Sequence, residues 1–483
     1  MIQFIVVGKI IGILLLIVGG LMLPGIGIAV FDGTADAVPL GWAAAITIAI
    51  GLLMQFLKPR DGTRVTKREG YLIVGLGWIS MVLAGMLPYL LSSTVPTPVD
   101  AFFETMSGMT TTGASVITDI EQMPRGILFW RSMTQWIGGM GIIVLTVAIF
   151  PLLGIGGIEL FVAESPGPTS DKIHPRIQET AKRLWFIYVG LTAALIILLY
   201  AFGMSGYDAI NHALTTMSTG GFSTKNASIA AFDSPGIQYT IIVFMLLAGT
   251  NFTVLYFAFK ARWRKVWRFD EFKMYLIVIG VLICIMMFGI RLYSDSSFEG
   301  AFREAAFQVV SIVTTTGFVS SDYTAYADWL TMAVFIMLFL GGSAGSTSGG
   351  IKLIRHLVFL KNCIREFKRI LHPRAMISLK LNGQVVQPRI ITHILVFLLV
   401  YLFFFVLGSV LLAALGLDFP TAIGAAATSI GNVGPGIGSV GPVDNFAFLP
   451  QSAKLILAFL MLVGRLELFT ILLLFTPYFW KSN

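Results

Sequence analysis

The sequence predicts an all-α polytopic membrane protein, with two N-terminal transmembrane helices followed by four helix–pore-helix–helix repeats around one central pore. Two observations support this fold class. The 483 residues are 56% hydrophobic and only 12% charged, with a mean hydropathy of +0.85, whereas soluble domains carry about twice that share of charge. The second observation is a short motif that recurs four times along the chain, and it predicts the repeats.

The motif is clearest in its first copy, DAFFETMSGMTTTGAS at residues 100–115. The later copies read DAINHALTTMSTGGFS, EAAFQVVSIVTTTGFVS and DFPTAIGAAATSIGNVG. In each copy an acid precedes a glycine by thirteen residues: Asp100 and Gly113, Asp208 and Gly221, Glu304 and Gly317, and Asp418 and Gly431. The glycines lie 108, 96 and 114 residues apart. This period is too long for a solenoid and suits a membrane protein built from internal repeats.

The spacing inside the motif indicates a half-helix that enters the membrane and turns. The segment from Asp100 to Met109 forms about 15 Å of helix, which is half of the hydrocarbon thickness of a bilayer. An acid at its start caps free backbone amides and suits the positive end of the helix dipole. Glycine at its end lets the backbone turn its carbonyl oxygens inward, and a ring of carbonyls replaces the hydration shell of a cation.

The four turns supply the candidate cation ligands, through their backbone carbonyls. The alternative is that their small residues only let helices pack closely. The four acids are predicted to cap the half-helices, and a second role as a cation-attracting mouth stays open. The candidate ligands are Thr110, Thr111, Thr112, Gly113, Ser218, Thr219, Gly220, Gly221, Thr314, Thr315, Thr316, Gly317, Ser429, Ile430, Gly431 and Asn432.

Apolar runs between the motifs complete the predicted architecture. Two runs, 2–30 and 39–57, form an N-terminal extension that lacks the motif. The predicted units are the extension 1–69, repeat one 70–163, repeat two 164–265, repeat three 266–365, a basic loop 366–387 and repeat four 388–483. These units give ten membrane-crossing helices and four half-helices. Re-entrant segments at membrane depth must be buried or line a cavity, so the four half-helices predict a shared central cavity.

Positive charge is concentrated between the predicted repeats. Segments 58–69, 172–183, 260–273 and 352–389 hold five, four, six and nine Lys or Arg residues. Positive loops stay in the cytoplasm, so both termini are predicted to be cytoplasmic and the half-helices to enter from outside. This rule explains where the basic loops lie, and nucleic acid is therefore not an expected partner. The last segment holds more charge than orientation requires, and segments 352–389 and 260–273 together are the candidate docking face for a soluble protein.

A glycine-rich stretch, residues 341–350, is called the intramembrane loop below. It follows only about twelve apolar residues, roughly 18 Å of helix, so the helix breaks inside the membrane and the loop must be buried or line the pore. No other repeat shows such a break in its sequence. The alternative is an ordinary cytoplasmic linker. The loop consists of Gly341, Gly342, Ser343, Ala344, Gly345, Ser346, Thr347, Ser348, Gly349 and Gly350.

Arg465 lies in the middle of the last apolar span, LILAFLMLVGRLELFTILLLF. A charge at that depth is costly and usually faces the protein interior. Glu467 is only two positions further on, so the two side chains cannot face each other on one helix. Arg465 is therefore predicted to be an electrostatic barrier in the permeation path, or alternatively to form an ion pair with another helix.

Together these motifs resemble the TrkH and KtrB potassium-uptake family, and within it the bacterial TrkH type. The resemblance rests on TTTG at 110–113 and 314–317, STGGF at 218–222, SIGNVG at 429–434, the intramembrane loop and Gly464-Arg465. It implies one potassium-channel-like pore per chain, with K⁺ at the filter turns, Rb⁺ as a second permeant ion and Na⁺ as a weaker one.

The same resemblance implies partners and a location. It implies K⁺ uptake across the bacterial inner membrane by a homodimer that a cytosolic TrkA-type nucleotide-binding subunit regulates. It makes the intramembrane loop a gate beneath the filter and Arg465 a barrier in the pore. No bound cofactor is implied, and coupling to another ion is left open.

Two other functions would require different features in the sequence. An ion-coupled secondary transporter of another small cation or solute requires paired discontinuous helices and carboxylates at mid-membrane. A membrane enzyme requires a catalytic cluster, and the sequence shows neither a nucleophile–base pairing nor metal-ligand spacing. Cys284 and Cys363 are isolated, and His212 is expected to be a packed side chain within the second half-helix.

Overall fold

The computed structural model describes residues 3–57, 66–141 and 177–481, and these are mostly helical. Within them six helical segments are long and apolar enough to cross a membrane, and two further pairs of helices pass the same test but are sharply bent. The prediction of an all-α polytopic membrane protein is therefore confirmed. The six segments are Phe4–Asp32, Ala37–Gln55, Arg68–Ser92, Lys182–Ala201, Asp270–Tyr293 and Pro388–Ala414.

The remaining helices are shorter. The span Arg68–Ser92 is formed by two consecutive helices, Lys67–Gly85 and Leu87–Ser92. The span Lys182–Ala201 is part of the longer helix Ile177–Ala201. The other α-helices are Pro98–Met109, Arg125–Trp136, Gly206–Met217, Pro235–Ala248, Phe252–Phe259, Trp263–Val266, Phe298–Val313, Asp328–Met337, Leu353–Leu371, Phe419–Gly431, Gln451–Arg465, Leu468–Leu472 and Pro477–Trp480. Single turns of 3₁₀ helix occur at Ser228–Ala231, Tyr323–Ala325, Gly438–Val440 and Leu473–Phe475, and a π-helical turn at Ile137–Gly141.

A small antiparallel hairpin, called the basic-segment hairpin below, is the one sheet in the described chain. Its strands are Lys380–Leu381 and Gln384–Val385, with Lys380 opposite Val385. The hairpin follows helix Leu353–Leu371, inside the basic segment 352–389. The predicted cytoplasmic loop is thus a helix and a hairpin with a defined structure.

The two N-terminal helices pack closely through glycines. A Cβ atom at Gly12 would lie 2.9 Å from the carbonyl oxygen of Gly51, and one at Gly51 would lie 2.8 Å from that of Gly12. Small residues at such contacts let helix backbones approach each other in a bilayer. Asp36 accepts a hydrogen bond from the backbone of Ile127 at 3.2 Å, which joins this pair of helices to helix Arg125–Trp136.

Four short helices are largely buried: Pro98–Met109, Gly206–Met217, Phe298–Val313 and Phe419–Gly431. They are 12, 12, 16 and 13 residues long, too short to span a bilayer. One apolar core surrounds the first and fourth of them, together with the N-terminal pair, and a second core surrounds the second and third. The short helices therefore lie inside the protein, where re-entrant segments are tolerated.

The expectation that only one span is broken was wrong. Pro235–Ala248 and Phe252–Phe259 meet at an angle of 108°, and Gln451–Arg465 and Leu468–Phe475 meet at 113°. The helix that begins at Arg125 has a non-helical backbone at Gly139, with ψ at −125°. Glycines were present at or beside all of these breaks, but isolated glycines inside an apolar run do not by themselves predict a sharp bend.

Parts of several predictions lie outside the described residues. The predicted repeat one, 70–163, is described only to residue 141. Residues 58–65 and 172–176 of two basic segments also lie outside.

Candidate cation pathway

The short helices begin at side-chain caps. Thr97 accepts a hydrogen bond from the backbone of Asp100 at 3.2 Å and donates one to its carboxylate at 2.8 Å. Ser205 and Asp208 make the same pair of bonds at 3.1 and 2.7 Å. In the fourth helix Asp418 is itself the cap and accepts from the backbone of Thr421 at 3.2 Å. These contacts give three of the four predicted acids a place in the first turn of a short helix or at its cap.

Glu304 does not start its helix. It is the seventh residue of Phe298–Val313, and its carboxylate accepts a hydrogen bond from the hydroxyl of Tyr326. The cap is Ser297 and the acid in the first turn is Glu299. The third short helix extends further toward its N-terminus than the first and second, so equal spacing from the glycine places Glu304 in the second turn.

Each short helix ends in the same unusual backbone turn. A non-glycine residue with a left-handed backbone comes first, and a glycine with positive φ follows two positions later. The first residues are Thr111, Thr219, Thr315 and Asn432, with φ between 53° and 56°. The glycines are Gly113, Gly221, Gly317 and Gly434, with φ of 86°, 78°, 75° and 102°. We call residues 110–113, 218–221, 314–317 and 431–434 the turn segments.

The fourth turn segment begins two residues beyond the predicted one, and its positive-φ glycine is three residues beyond the predicted Gly431. Ser429 and Ile430 still belong to helix Phe419–Gly431, and Gly434 takes the position that Gly113 has in the first segment. The thirteen-residue spacing misaligned this copy, because Asp418 is the cap of its helix whereas Asp100 lies three residues after the cap. The correct fourth segment is therefore Gly431, Asn432, Val433 and Gly434.

The four turn segments form a closed ring. In each segment the positive-φ glycine lies against a backbone carbonyl of the next segment. That carbonyl belongs to the residue just before the next segment's own positive-φ glycine. A Cβ atom on the first glycine would collide with its oxygen. The distances from such a Cβ to that oxygen are 2.2 Å for Gly113 to Gly220, 2.0 Å for Gly221 to Thr316, 1.9 Å for Gly317 to Val433 and 2.8 Å for Gly434 to Thr112. The ring runs from the first segment through the fourth and back to the first, and only glycine fits these positions without displacement.

The carbonyl oxygens of the four left-handed residues have no hydrogen-bond donor within the described chain. These residues, Thr111, Thr219, Thr315 and Asn432, are all fully buried. A buried backbone carbonyl without a partner is uncommon, because it has lost water without replacing it. By contrast, the Gly220 carbonyl accepts a hydrogen bond from the Gln135 amide at 2.7 Å. The ring therefore holds four equivalent oxygens that a cation would satisfy.

Side chains behind the ring hold the second turn segment in place, and the sequence analysis missed them. Arg131 forms a buried ion pair with Glu104 at 2.7 Å and donates to the carbonyl of Ser223 at 3.1 Å. Its guanidinium lies 3.5 Å from the centre of the Phe222 ring. Gln135 accepts from the backbone of Phe222 at 3.0 Å. Opposite charges inside two neighbouring apolar stretches were the available signal, since buried charges require partners.

The first and fourth turn segments are joined by polar contacts. The Asn432 amide donates to the hydroxyl of Thr112 at 3.0 Å and to the carbonyl of Met461 at 2.9 Å. Nearby, the ammonium of Lys454 contacts a carboxylate oxygen of Asp100 at 2.6 Å, and both side chains are buried. Because Lys454 compensates its charge, Asp100 serves as a structural partner rather than as a free charge at a cation-attracting mouth.

Polar contacts also tie the loops after the first and second turn segments together. The side chain of Asn226 donates to the carboxylate of Asp119 at 3.0 Å and accepts from the backbone of Ile120 at 2.8 Å. The hydrogen bond from Asn226 lowers the pKa of Asp119 below its usual value.

His212 is buried and contacts the carbonyl of Asp208 at 2.8 Å and the hydroxyl of Ser223 at 2.9 Å, so it is a packed side chain, as expected.

The intramembrane loop contacts the turn segments directly. The hydroxyl of Thr315 accepts a hydrogen bond from the backbone of Gly349 at 2.6 Å and lies 3.1 Å from the hydroxyl of Ser348. Thr347 donates from its hydroxyl to the carbonyls of Met217 and Ala248, at 3.0 and 3.1 Å. The loop contains five glycines, and these bonds nevertheless fix it against the second and third short helices.

Arg465 joins this loop to the break near Arg125–Trp136. Its two terminal nitrogens donate to the carbonyls of Thr347 at 2.8 Å and Gly138 at 2.7 Å. Glu467 pairs instead with Arg355 at 2.5 Å. The predicted separation of Arg465 and Glu467 is thus observed, and the positive charge of Arg465 lies against the intramembrane loop.

Comparison with known proteins agrees with this architecture. The sequence profile of the TrkH family, described as cation transport proteins, matches residues 42–482. The chain belongs to the TrkH family.

Relatives of this family member match it along nearly their whole length. The Trk system potassium uptake protein TrkH of Salmonella typhimurium is 41% identical, over 99% of this chain and 100% of its own. The Trk system potassium uptake protein TrkG of Escherichia coli is 33% identical, over 95% of each chain. The crystal structure of the potassium transporter TrkH from Vibrio parahaemolyticus superposes with a TM-score of 0.89 at 37% identity, covering 99% of this chain and 100% of its own. These relatives are named as transport proteins, which agrees with the prediction that the chain is not an enzyme.

Proposed function

We propose that this chain carries K⁺ into a bacterial cell, across the inner membrane, through one channel-like pore whose selectivity filter is the ring of turn segments. The proposal is carried by four buried carbonyl oxygens that have no donor among the described residues, at Thr111, Thr219, Thr315 and Asn432. Rings of carbonyls bind dehydrated cations in K⁺-selective filters. The relatives are named for potassium uptake, so K⁺ is the expected ion, with Rb⁺ next and Na⁺ weaker.

The intramembrane loop and Arg465 form the closed barrier in this proposal. The loop is hydrogen-bonded to Thr315, which belongs to the third turn segment, and Arg465 donates to the loop. A cation that passes the half-buried guanidinium of Arg465 meets repulsion that water screens less than in bulk solution. Opening then requires the loop and Arg465 to move together.

Uptake of Rb⁺ and Na⁺ into liposomes that contain the purified protein tests the filter. Gly113→Ser and Gly317→Ser place a side chain against a carbonyl of the next segment, and we expect both variants to lose rate and selectivity for Rb⁺ over Na⁺. Gly280→Ser is the matched control, because nothing lies within 4 Å of a Cβ atom there. Wild-type rates and ratios in both filter variants would show that the ring is not the filter.

Coupling to a second ion is the alternative that the bent helices favour, since discontinuous helices also occur in ion-coupled transporters. The carboxylate of Glu467 is already paired with Arg355, which argues against it as a carrier of protons. Recording internal pH in the same liposomes separates the two mechanisms. A channel-like pore moves Rb⁺ without a proportional pH change, whereas symport moves both in a fixed ratio.

The basic segment 352–389 is the proposed docking face for a cytosolic TrkA-type nucleotide-binding regulator, and both termini lie on that side. Helix Leu353–Leu371 ends in exposed Lys368 and Arg369. The triple reversal Arg365→Glu, Lys368→Glu and Arg369→Glu is expected to abolish co-purification with the regulator. Arg291→Glu, at the other end of helix Asp270–Tyr293, is the control. Undiminished co-purification of the triple variant would place the partner elsewhere.

We further propose that the chain works as a homodimer. Native mass spectrometry in detergent is expected to give twice the 52.6 kDa chain mass. A single chain mass under conditions that retain transport would contradict this.

A further inference from the structure

Glu271 touches both the intramembrane loop and the helix that follows it. It lies in the first turn of helix Asp270–Tyr293 and is 6% exposed. One of its carboxylate oxygens accepts hydrogen bonds from the backbone of Ala344 at 2.7 Å and of Ile354 at 3.1 Å. A single side chain thus joins the middle of the loop to the start of helix Leu353–Leu371.

The chemistry of this contact makes it strong. Hydrogen bonds from backbone N–H groups to a carboxylate are charge-assisted and shorter than neutral ones. Ile354 lies in the first turn of its helix, where a negative charge also interacts favourably with the helix dipole. The burial of Glu271 limits competition by water. Loss of this carboxylate would leave the Ala344 end of the loop without its acceptor.

Thr347 holds the other part of the loop through separate contacts. Its backbone and hydroxyl donate to the carbonyl of Ala248 at 3.3 and 3.1 Å, and its own carbonyl accepts from Arg465. The loop has several attachments, and these two use different neighbours: Arg465 contacts the loop at Thr347, and Glu271 contacts it at Ala344.

The residue beside Glu271 is fixed to the basic-segment hairpin. Asp270 pairs with Lys361 at 2.8 Å and accepts from the backbone of Asn382 at 3.1 Å, and its own backbone donates to the Asn382 side chain at 2.7 Å. Both Lys361 and the hairpin belong to the basic segment 352–389. These contacts connect that segment to Glu271 through one peptide unit.

We propose that Glu271 is a positioning residue of the gate, a latch that keeps the intramembrane loop closed until movement of the basic segment 352–389 withdraws it. This inference rests on the gating role proposed above for the loop and Arg465. It assigns the coupling between the cytoplasmic surface and the pore to the adjacent residues Asp270 and Glu271.

Rb⁺ flux into liposomes without any regulator tests the latch. Glu271→Ala removes the acceptor of two hydrogen bonds, so we expect basal flux to rise roughly tenfold. Glu271→Gln keeps an acceptor oxygen and should restore most of the closed behaviour. Asp328→Ala, which removes an exposed acid from the first turn of helix Asp328–Met337, should leave the flux unchanged.

A second readout reports on the loop itself. Ser346→Cys, in a chain with Cys284→Ser and Cys363→Ser, is exposed to a water-soluble thiol reagent. Glu271→Ala should speed its labelling severalfold. In a chain whose loop is shortened between Ser343 and Ser348, Glu271→Ala should not raise flux further, whereas a general distortion of the protein would change flux in both backgrounds.

The reference variant Arg465→Ala distinguishes failure of the latch proposal from failure of the proposed function. If it raises flux while Glu271→Ala changes neither flux nor labelling, the latch is refuted and the gate stands. If wild type, Arg465→Ala and the shortened-loop chain all pass no Rb⁺ although they remain folded, the proposed function itself fails. If Glu271→Gln conducts as fast as Glu271→Ala, the hydrogen bonds to Ala344 and Ile354 are not what holds the loop.

Discussion

The ring of turn segments and the helix breaks that pack against it differ in how closely the backbone conformation repeats from one copy to the next. All four turn segments share one backbone conformation, although Asn432 stands where the others have threonine. The breaks differ from one another in conformation. They are a distorted π turn at Gly139, bends of 108° and 113°, and the long interruption that contains the intramembrane loop.

This difference follows from the groups that act in each region. Backbone carbonyls are the proposed ligands of the ring, so its conformation must be repeated while its side chains are free to vary. At the breaks, side chains do the proposed work, and they need not repeat. Arg465 comes from one break, whereas Thr347 and the rest of the loop come from another. The filter is thus expected to depend on all four segments and the gate on two.

Arg465→Ala tests the gate half of this comparison and has the largest expected effect on transport. A unit charge about 5 Å from a passing cation, in an effective dielectric of about 20, opposes it by about 3 kcal/mol. Basal Rb⁺ flux in liposomes should therefore rise on the order of a hundredfold. Arg465→Lys keeps the charge but not the fork that reaches both Thr347 and Gly138, so it should conduct at an intermediate rate. Equal flux in both variants and wild type would remove Arg465 from the barrier.

Gly434→Ala and Ser429→Ala test whether the fourth segment belongs to the ring in its corrected register. Gly434 has φ of 102°, and a Cβ atom there would lie 2.8 Å from the carbonyl oxygen of Thr112. Alanine should therefore lower the Rb⁺ to Na⁺ flux ratio roughly tenfold, since strain of this kind costs of order 1–3 kcal/mol. The Ser429 hydroxyl is buried without a hydrogen-bond partner among the described residues, so Ser429→Ala should keep the ratio. The reverse result would restore the original register.

Lys454→Met probes the junction between the first and fourth segments and has the smallest expected effect on transport. It leaves the buried Asp100 carboxylate without its ammonium, and breaking such a pair costs about 3 to 5 kcal/mol. We expect a lower thermal midpoint in detergent and an unchanged Rb⁺ to Na⁺ ratio. The double variant Asp100→Asn with Lys454→Met should recover stability, because neither charge remains. A changed ion ratio at wild-type stability would instead assign Asp100 to the permeation path.

The sequence by itself determined the class of this protein and most of its candidate site. Hydropathy and the four motifs predicted the membrane helices, the short buried helices and three complete turn segments. These features depend on local composition and spacing. The length of an apolar run determines whether it can span the membrane, and glycine permits a positive φ.

Only the tertiary structure decided the register of the fourth segment, the bends in the other helices and the partners of buried charges. The thirteen-residue count does not distinguish a cap such as Asp418 from an acid in the first turn such as Asp100. Nor does any local pattern pair Asp100 with Lys454, 354 residues away, or Glu271 with Ala344, 73 residues away. Such contacts depend on which helices the fold brings together, and a buried charge selects its partner from whatever lies beside it in space.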